Sequence, residues 1–147
     1  MKIRRSLFVS VIGILVCLFM ISCDNNNVST GYAPSNVSGK TMTINGTSAG
    51  IIHIHFTSNY SATITRNDGK SLTFSSISYK KTSSNAATVH INGIYINFGS
   101  SSATDNENLS LFFTSNTQGI VNGSYNRRWN DGSTMNGSIE YESFTIF

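Results

Sequence analysis

An all-β fold is predicted by three observations. From Lys40 to Phe147, Ile, Val, Tyr and Phe alternate with Thr, Ser, His and Asn in short runs. Clusters of Asn, Asp, Gly and Ser separate the runs, and no window sustains helical spacing of apolar residues. The connections are short, so neighbouring strands should be antiparallel, in a meander of about eight. Each strand carries one apolar face, which can be buried by closing the sheet on itself or by stacking two sheets. A small barrel is favoured over a sandwich.

The runs follow in order. Met42 and Ile44 alternate with Thr41 and Thr43, and Ile52, Ile54 and Phe56 with His53, His55 and Thr57. Tyr60, Ala62 and Ile64 lead into Asn67-Asp68-Gly69, with Leu72 and Phe74 beyond it, which reads as a hairpin with glycine supplying the positive φ. In Val89-His90-Ile91-Asn92-Gly93-Ile94-Tyr95-Ile96, an Asn-Gly turn would pair Ile91 with Ile94 and Val89 with Ile96 on one face, and His90 with Tyr95 on the other. Leu109, Leu111 and Phe113 form the next strand. Val121, Gly123 and Tyr125 lead to a second Asn130-Asp131-Gly132 turn, from which Met135, Gly137, Ile139 and Tyr141 return. Phe56-Thr57-Ser58-Asn59 recurs as Phe113-Thr114-Ser115-Asn116, each followed by a strand, an Asn-Asp-Gly turn and an Ile-x-Tyr strand, the pattern of a duplicated plan.

The N-terminal part divides differently. Lys2, Arg4 and Arg5 precede an apolar run from Leu7 to Ile21 and then Ser22-Cys23, the parts of a secretory signal. The run is shorter than the ~20 residues of a membrane-spanning helix. The expected organisation is a signal peptide over residues 1–22, a modified Cys23 with a flexible polar tether to residue 39, and the β domain over 40–147. Removing the signal takes Lys2, Arg4 and Arg5 and brings the net charge of +3 to zero. The basic balance therefore belongs to export, and a nucleic-acid partner is not expected. Cys17 lies in the signal, so Cys23 is the one cysteine of the mature chain; disulfides, thiolate metal sites and a cysteine nucleophile are excluded from the domain.

Met20-Ile21-Ser22-Cys23 resembles the lipobox of bacterial lipoproteins. The resemblance implies lipidation of Cys23 and a membrane anchor in the cell envelope, and leaves open which membrane or leaflet. Residues 113–139, with Phe-Thr-Ser, Gly123-Ser124-Tyr125, Gly132-Ser133 and Gly137-Ser138-Ile139, look like small calycin-like or lipocalin-like β domains of envelope lipoproteins. That resemblance implies a small apolar ligand inside the barrel. The chain departs from the lipocalin pattern at the first strand, where Gly39 is followed by Lys40-Thr41 instead of a Gly-x-Trp, and the sole tryptophan is Trp129.

Chemistry-bearing residues are sparse. No His-Glu-x-x-His or phosphate-cradling motif occurs. His53, His55 and His90 are the three histidines; a His-x-His pair with a third His from a neighbouring strand is a known zinc arrangement, open to water for hydrolysis. They alternate with apolar residues and so fall on the face away from the core. Glu140 and Glu142 are spaced to share a strand face and to form an acid–base pair. Gly123 and Gly137 remove bulk beside Tyr125 and Ile139, which marks these four as a candidate ligand site. Tyr95, Phe112 and Trp129 are candidate contacts for an envelope protein. The expectation is a non-catalytic binding or interaction module without a cofactor. The alternatives are a metal-binding protein or hydrolase built on the histidines, and a small integral outer-membrane barrel, suggested by the alternating strand that ends in Phe147.

Overall fold

The computed structural model describes residues 31–46 and 51–147, without the side chains of residues 140 and 141. The expected signal peptide, Cys23 and the first part of the tether lie outside the described residues. Nine strands follow one another: β1 (Thr41–Asn45), β2 (Ile51–Ser58), β3 (Ser61–Arg66), β4 (Ser71–Leu72), β5 (Ser76–Lys81), β6 (Ala86–Asn97), β7 (Ser102–Phe113), β8 (Gln118–Trp129) and β9 (Thr134–Ile146).

All pairings are antiparallel, in the order β4-β3-β2-β1-β9-β8-β7-β6-β5. Each strand therefore lies beside its sequence neighbour, and β1 pairs with β9 to join the two ends of the domain, Met42 opposite Ile146 and Ile44 opposite Phe144. The remaining gap falls between β4 and β5, which Thr73–Ser75 connect. These two segments act as one interrupted stave that starts on β3 (Ile64 opposite Leu72) and finishes on β6 (Ile77 opposite Ile91). Backbone bonds from Ser75 N to Asn92 O, Tyr95 N to Thr73 O and Tyr79 N to Asn59 O hold the curled edges together. The fold is the expected all-β antiparallel meander, curled into a small barrel. Both Asn-Asp-Gly turns form. Arg66 N bonds Lys70 O and Trp129 N bonds Ser133 O, while Asp68 and Asp131 accept from the backbone N–H two residues on.

The Asn92-Gly93 hairpin does not form. Residues 86–97 are one continuous strand, and Asn92-Gly93 is a bulge in it: Ile91 faces Glu107 and Ile94 faces Asp105, so two residues oppose Asn106 alone. Gly93 takes φ +69° and donates its N–H to Asn106 Oδ1 at 2.9 Å. The inserted residue switches the side-chain parity, which keeps Val89, Ile91, Ile94 and Ile96 on one face just as a hairpin would.

The boundary of the folded part also shifts. Ala33 and Val37, placed in the tether by their polar surroundings in sequence, are buried in the core, and Pro34 O accepts from the Tyr79 hydroxyl at 2.7 Å. Val37 N donates to Asn59 Oδ1 at 2.9 Å. The segment from Gly31 onward belongs to the domain.

The core is concentrated at the end of the barrel where β1 begins and β9 finishes. Met42, Phe56, Tyr79, Val89, Leu111, Phe144 and Ile146 are all essentially inaccessible there, and Phe113 meets Phe144 edge to face at 4.9 Å. Phe56 and Phe113, the paired residues of the internal repeat, both sit in this cluster.

Candidate functional site: a cavity at the barrel mouth

At the opposite end the barrel is hollow. A cavity of about 500 Å³ is lined from nearly every strand, by Ile44, Ile52, Leu72, Ile94, Ile96, Tyr125 and Ile139 among others. Its size follows from strand length: β6 to β9 run 12–13 residues and extend past the packed cluster, whereas β1 to β4 are short. This volume lies in the range of ordinary small-molecule pockets.

The polar lining comes from the extended wall. Along β7 the inward positions Ala103, Asp105, Glu107, Leu109 and Leu111 alternate with exposed Thr104, Asn106, Asn108 and Ser110, so Asp105 and Glu107 enter the interior in register with the apolar residues. Arg127 on β8 pairs with Asp105 across the strands. A bulge in β9 brings in Glu142: Val121 faces Glu142 but Gly123 faces Ile139, so the inward parity changes between Ile139 and Glu142 and both line the cavity. The side chain of Glu140 lies outside the described residues.

Two charges in this wall are matched. Arg127 donates Nε to Asp105 Oδ1 at 2.8 Å and Nη2 to Oδ2 at 2.7 Å, a fork-on-fork pair. Asp105 is only 2% exposed. The guanidinium carbon also lies 5.4–5.5 Å from the ring centres of Phe98, Tyr125 and Trp129. The side-chain bond to Asp105 holds the Arg127 guanidinium still further above its usual value, so it remains charged.

Glu107 is different. Burial, reinforced by the negative charges of Asp105 and Glu142 and only partly offset by Arg127, pushes its carboxyl up to about 7. No hydrogen bond or ion pair to Glu107 or Glu142 is found among the described residues. A carboxyl that changes charge near neutrality can seat a cation, donate a proton, or hydrogen-bond a neutral polar group.

The four residues chosen from sequence divide. Tyr125 and Ile139 line the cavity. Gly123 and Gly137 do not open the space expected of them. A Cβ on Gly137 would lie 2.4 Å from the Tyr125 ring, and one on Gly123 2.7 Å from Asn108 O and 2.9 Å from Leu109 Cδ2. Both glycines admit close neighbours instead, and Tyr125 lies over its cross-strand partner Gly137.

The histidines occupy the outer face. His53 and His55 on β2 hydrogen-bond Thr43 and Thr41 on β1 at 3.0 Å each, and His90 on β6 bonds Asn108 on β7. β2 and β6 are not neighbours, so the three are not brought together. Among the described residues no group of three or more His, Cys, Asp or Glu is arranged to hold a metal. Tyr95 and Phe112 are about half exposed on the outside, whereas Trp129 stacks on Phe98 with ring centres 5.1 Å apart.

Asp105, Glu107 and Arg127 were not legible as site residues. The run Asp105-Asn106-Glu107-Asn108 has no apolar member, so alternation from Leu109 backwards along the strand was the one available signal. In comparisons with known proteins, the chain matches no family model, no curated protein and no solved structure.

Proposed function

We propose that the chain is a cell-envelope lipoprotein whose barrel binds a small ligand without transforming it. The observation that carries the binding reading is the cavity of about 500 Å³ at one end of a barrel whose other end is packed solid. Packed interiors rarely leave voids much larger than a water molecule, so a hollow of this size lined by both isoleucines and carboxylates is suited to an occupant. The exterior favours a water-facing barrel over a membrane-spanning one: Thr104, Asn106, Asn108 and Ser110 on β7 and Ser124, Asn126 and Arg128 on β8 point outward and are exposed. A spanning barrel would present apolar side chains there. The anchor rests on the Met20–Cys23 motif alone.

Native mass spectrometry of the protein purified from its own host tests the binding reading. A reproducible added mass, lost on denaturation and lost when Ile96→Trp fills the cavity, is the expected result. A bare mass in the wild type under all extraction conditions would overturn it, and stoichiometric zinc would favour the histidine alternative. For the anchor, Cys23→Ser should abolish lipid labelling and release the protein from membranes; unchanged labelling would refute it.

A further inference from the structure

The ligand class can be narrowed from the charges that face the cavity, an inference that rests on the binding reading above. We infer that the cavity accepts a small organic cation, an ammonium group on an apolar body, with the ammonium seated on Glu107 and Glu142 adding a second negative charge in the same space.

The argument is one of matching. The apolar part of the ligand would meet the isoleucine wall from β1, β2, β6 and β9. For the head group, the charged and titratable residues facing the cavity, among the described residues, are Asp105 and Glu107 from β7, Tyr125 and Arg127 from β8, Glu142 from β9 and Arg66 at the end of β3; β6 contributes only apolar residues. Arg127 has its Nε–Nη2 edge on Asp105 and three aromatic rings around it, so its charge is already matched by a carboxylate. Arg66 is exposed at the rim. Among the described residues, the charged groups inside the cavity left without a partner are therefore two carboxyls, Glu107 and Glu142.

Their energetics point the same way. Without a ligand, Glu107 is destabilised as an anion by burial and by its neighbours Asp105 and Glu142, and it titrates at about 7. A bound cation supplies the missing counter-charge, lowers that value and expels the proton. Binding should then be linked to proton release. An alkylammonium with a pKa near that of lysine, ~10.4, stays charged throughout, so the pH dependence belongs to the protein. Affinity should rise with pH through neutrality, where an anionic guest would show the reverse.

Three probes with one tail and different heads decide it: hexylammonium, hexanoate and hexanol, titrated calorimetrically into the full chain in lipid nanodiscs, with empty discs as the blank. Hexylammonium is expected to bind roughly tenfold or more tighter than either control at pH 8, from a charge-assisted contact that the others lack. Its affinity should fall toward pH 6, and its heat at pH 7 should differ between buffers of different ionisation enthalpy, the sign of a released proton. Glu107→Gln should lose both the preference and the pH dependence while still binding hexanol, which shows its cavity to be intact. Equal affinities for the three probes, or a preference for hexanoate, would overturn the cation inference and leave the binding reading standing. Binding of none would count against both. If Glu107→Gln fails to fold, the wild-type pH profile decides alone: a flat profile overturns the inference.

Discussion

The two ends of the barrel are made by the same strands and differ in what they do with the interior. At one end aromatic and aliphatic side chains from β1, β2, β5 to β9 and the segment before β1 meet in a cluster with almost no accessible surface. At the other, the same inward positions carry Asp105, Glu107, Tyr125, Arg127 and Glu142, and the space between them stays open. The chain thus separates a packed end from an open end along the barrel axis. A polar group can enter the interior only where the strands outrun the packed cluster, because a carboxylate inside that cluster would be buried without water or partner. Burial explains why Asp105 needs Arg127 whereas Glu107 does without a partner: both line the cavity, but Asp105 is essentially inaccessible while Glu107 keeps part of its surface open.

Truncation at each end should separate them most widely. Phe144 packs edge to face on Phe113 and closely over Gly119, so Phe144→Ala should cost about 3–5 kcal/mol in urea denaturation. Ile96→Ala at the hollow end only enlarges an existing space, and should cost roughly a third of that. Equal losses would mean that the hollow end collapses in solution and that the two ends do not differ.

Next in size is the ion pair. Arg127→Met strips the counter-charge from Asp105 and should destabilise by about 3 kcal/mol. Adding Asp105→Asn to that variant should restore much of the loss, because the cost lies in the orphaned charge rather than in the pair itself. A double variant no better than Arg127→Met would show that the contacts of the guanidinium with Phe98, Tyr125 and Trp129 carry the stability instead.

How much of this arrangement could be read from the chain depends on parity. Ile52, Ile54, Phe56, Ile91, Leu111 and Ile139 were assigned inward by alternation, and they form the core or line the cavity. Alternation fails where a bulge inserts a residue, as at Asn92-Gly93 and at residues 140–141. At Asn92-Gly93 a turn and a bulge predict the same inward set, so the sequence could not separate them. At residues 140–141 the bulge changes the parity of everything after it, and the register places Glu142 on the cavity. Glu107 was hidden for a different reason. A hollow barrel tolerates inward polar residues, so the residues that define the site are those that break the pattern used to find strands.

Glu107 makes the hollow end pH-sensitive in a way the packed end is not. Its folded value, about 7, lies above the ordinary 4.5, so folding favours the protonated form. That contribution is fully present below pH 4.5 and is lost as the pH rises through 7. The shift corresponds to roughly 3 kcal/mol at 1.36 kcal/mol per unit. Glu107→Gln should therefore be more stable than wild type at pH 8, and the difference should vanish toward pH 4. A constant difference across that range would show that Glu107 titrates normally.

The smallest expected effect tests the bulge in β6. It lies between Ile91 and Ile94, both of which belong to the core cluster and line the cavity. Gly93 has φ +69°, where an L side chain is disfavoured by about 1–2 kcal/mol. A Cβ there would also meet Ser75 Oγ at 2.2 Å and Ser75 Cβ at 2.9 Å, in the link between β4 and β5. Gly93→Ala should therefore cost about 2 kcal/mol, and Ser75→Gly in the same chain should recover only the part due to the clash, leaving the backbone strain. Because the bulge carries β6 onward instead of reversing it, hydrogen exchange in Gly93→Ala should quicken at Tyr95, whose N–H bonds Thr73 O, and at Ser75, whose N–H bonds Asn92 O. A two-residue hairpin would instead pair Ile91 with Ile94 across the turn. Unchanged exchange at Ser75 and Tyr95 in a measurably destabilised Gly93→Ala would therefore count against the bulge as the joint between the two halves.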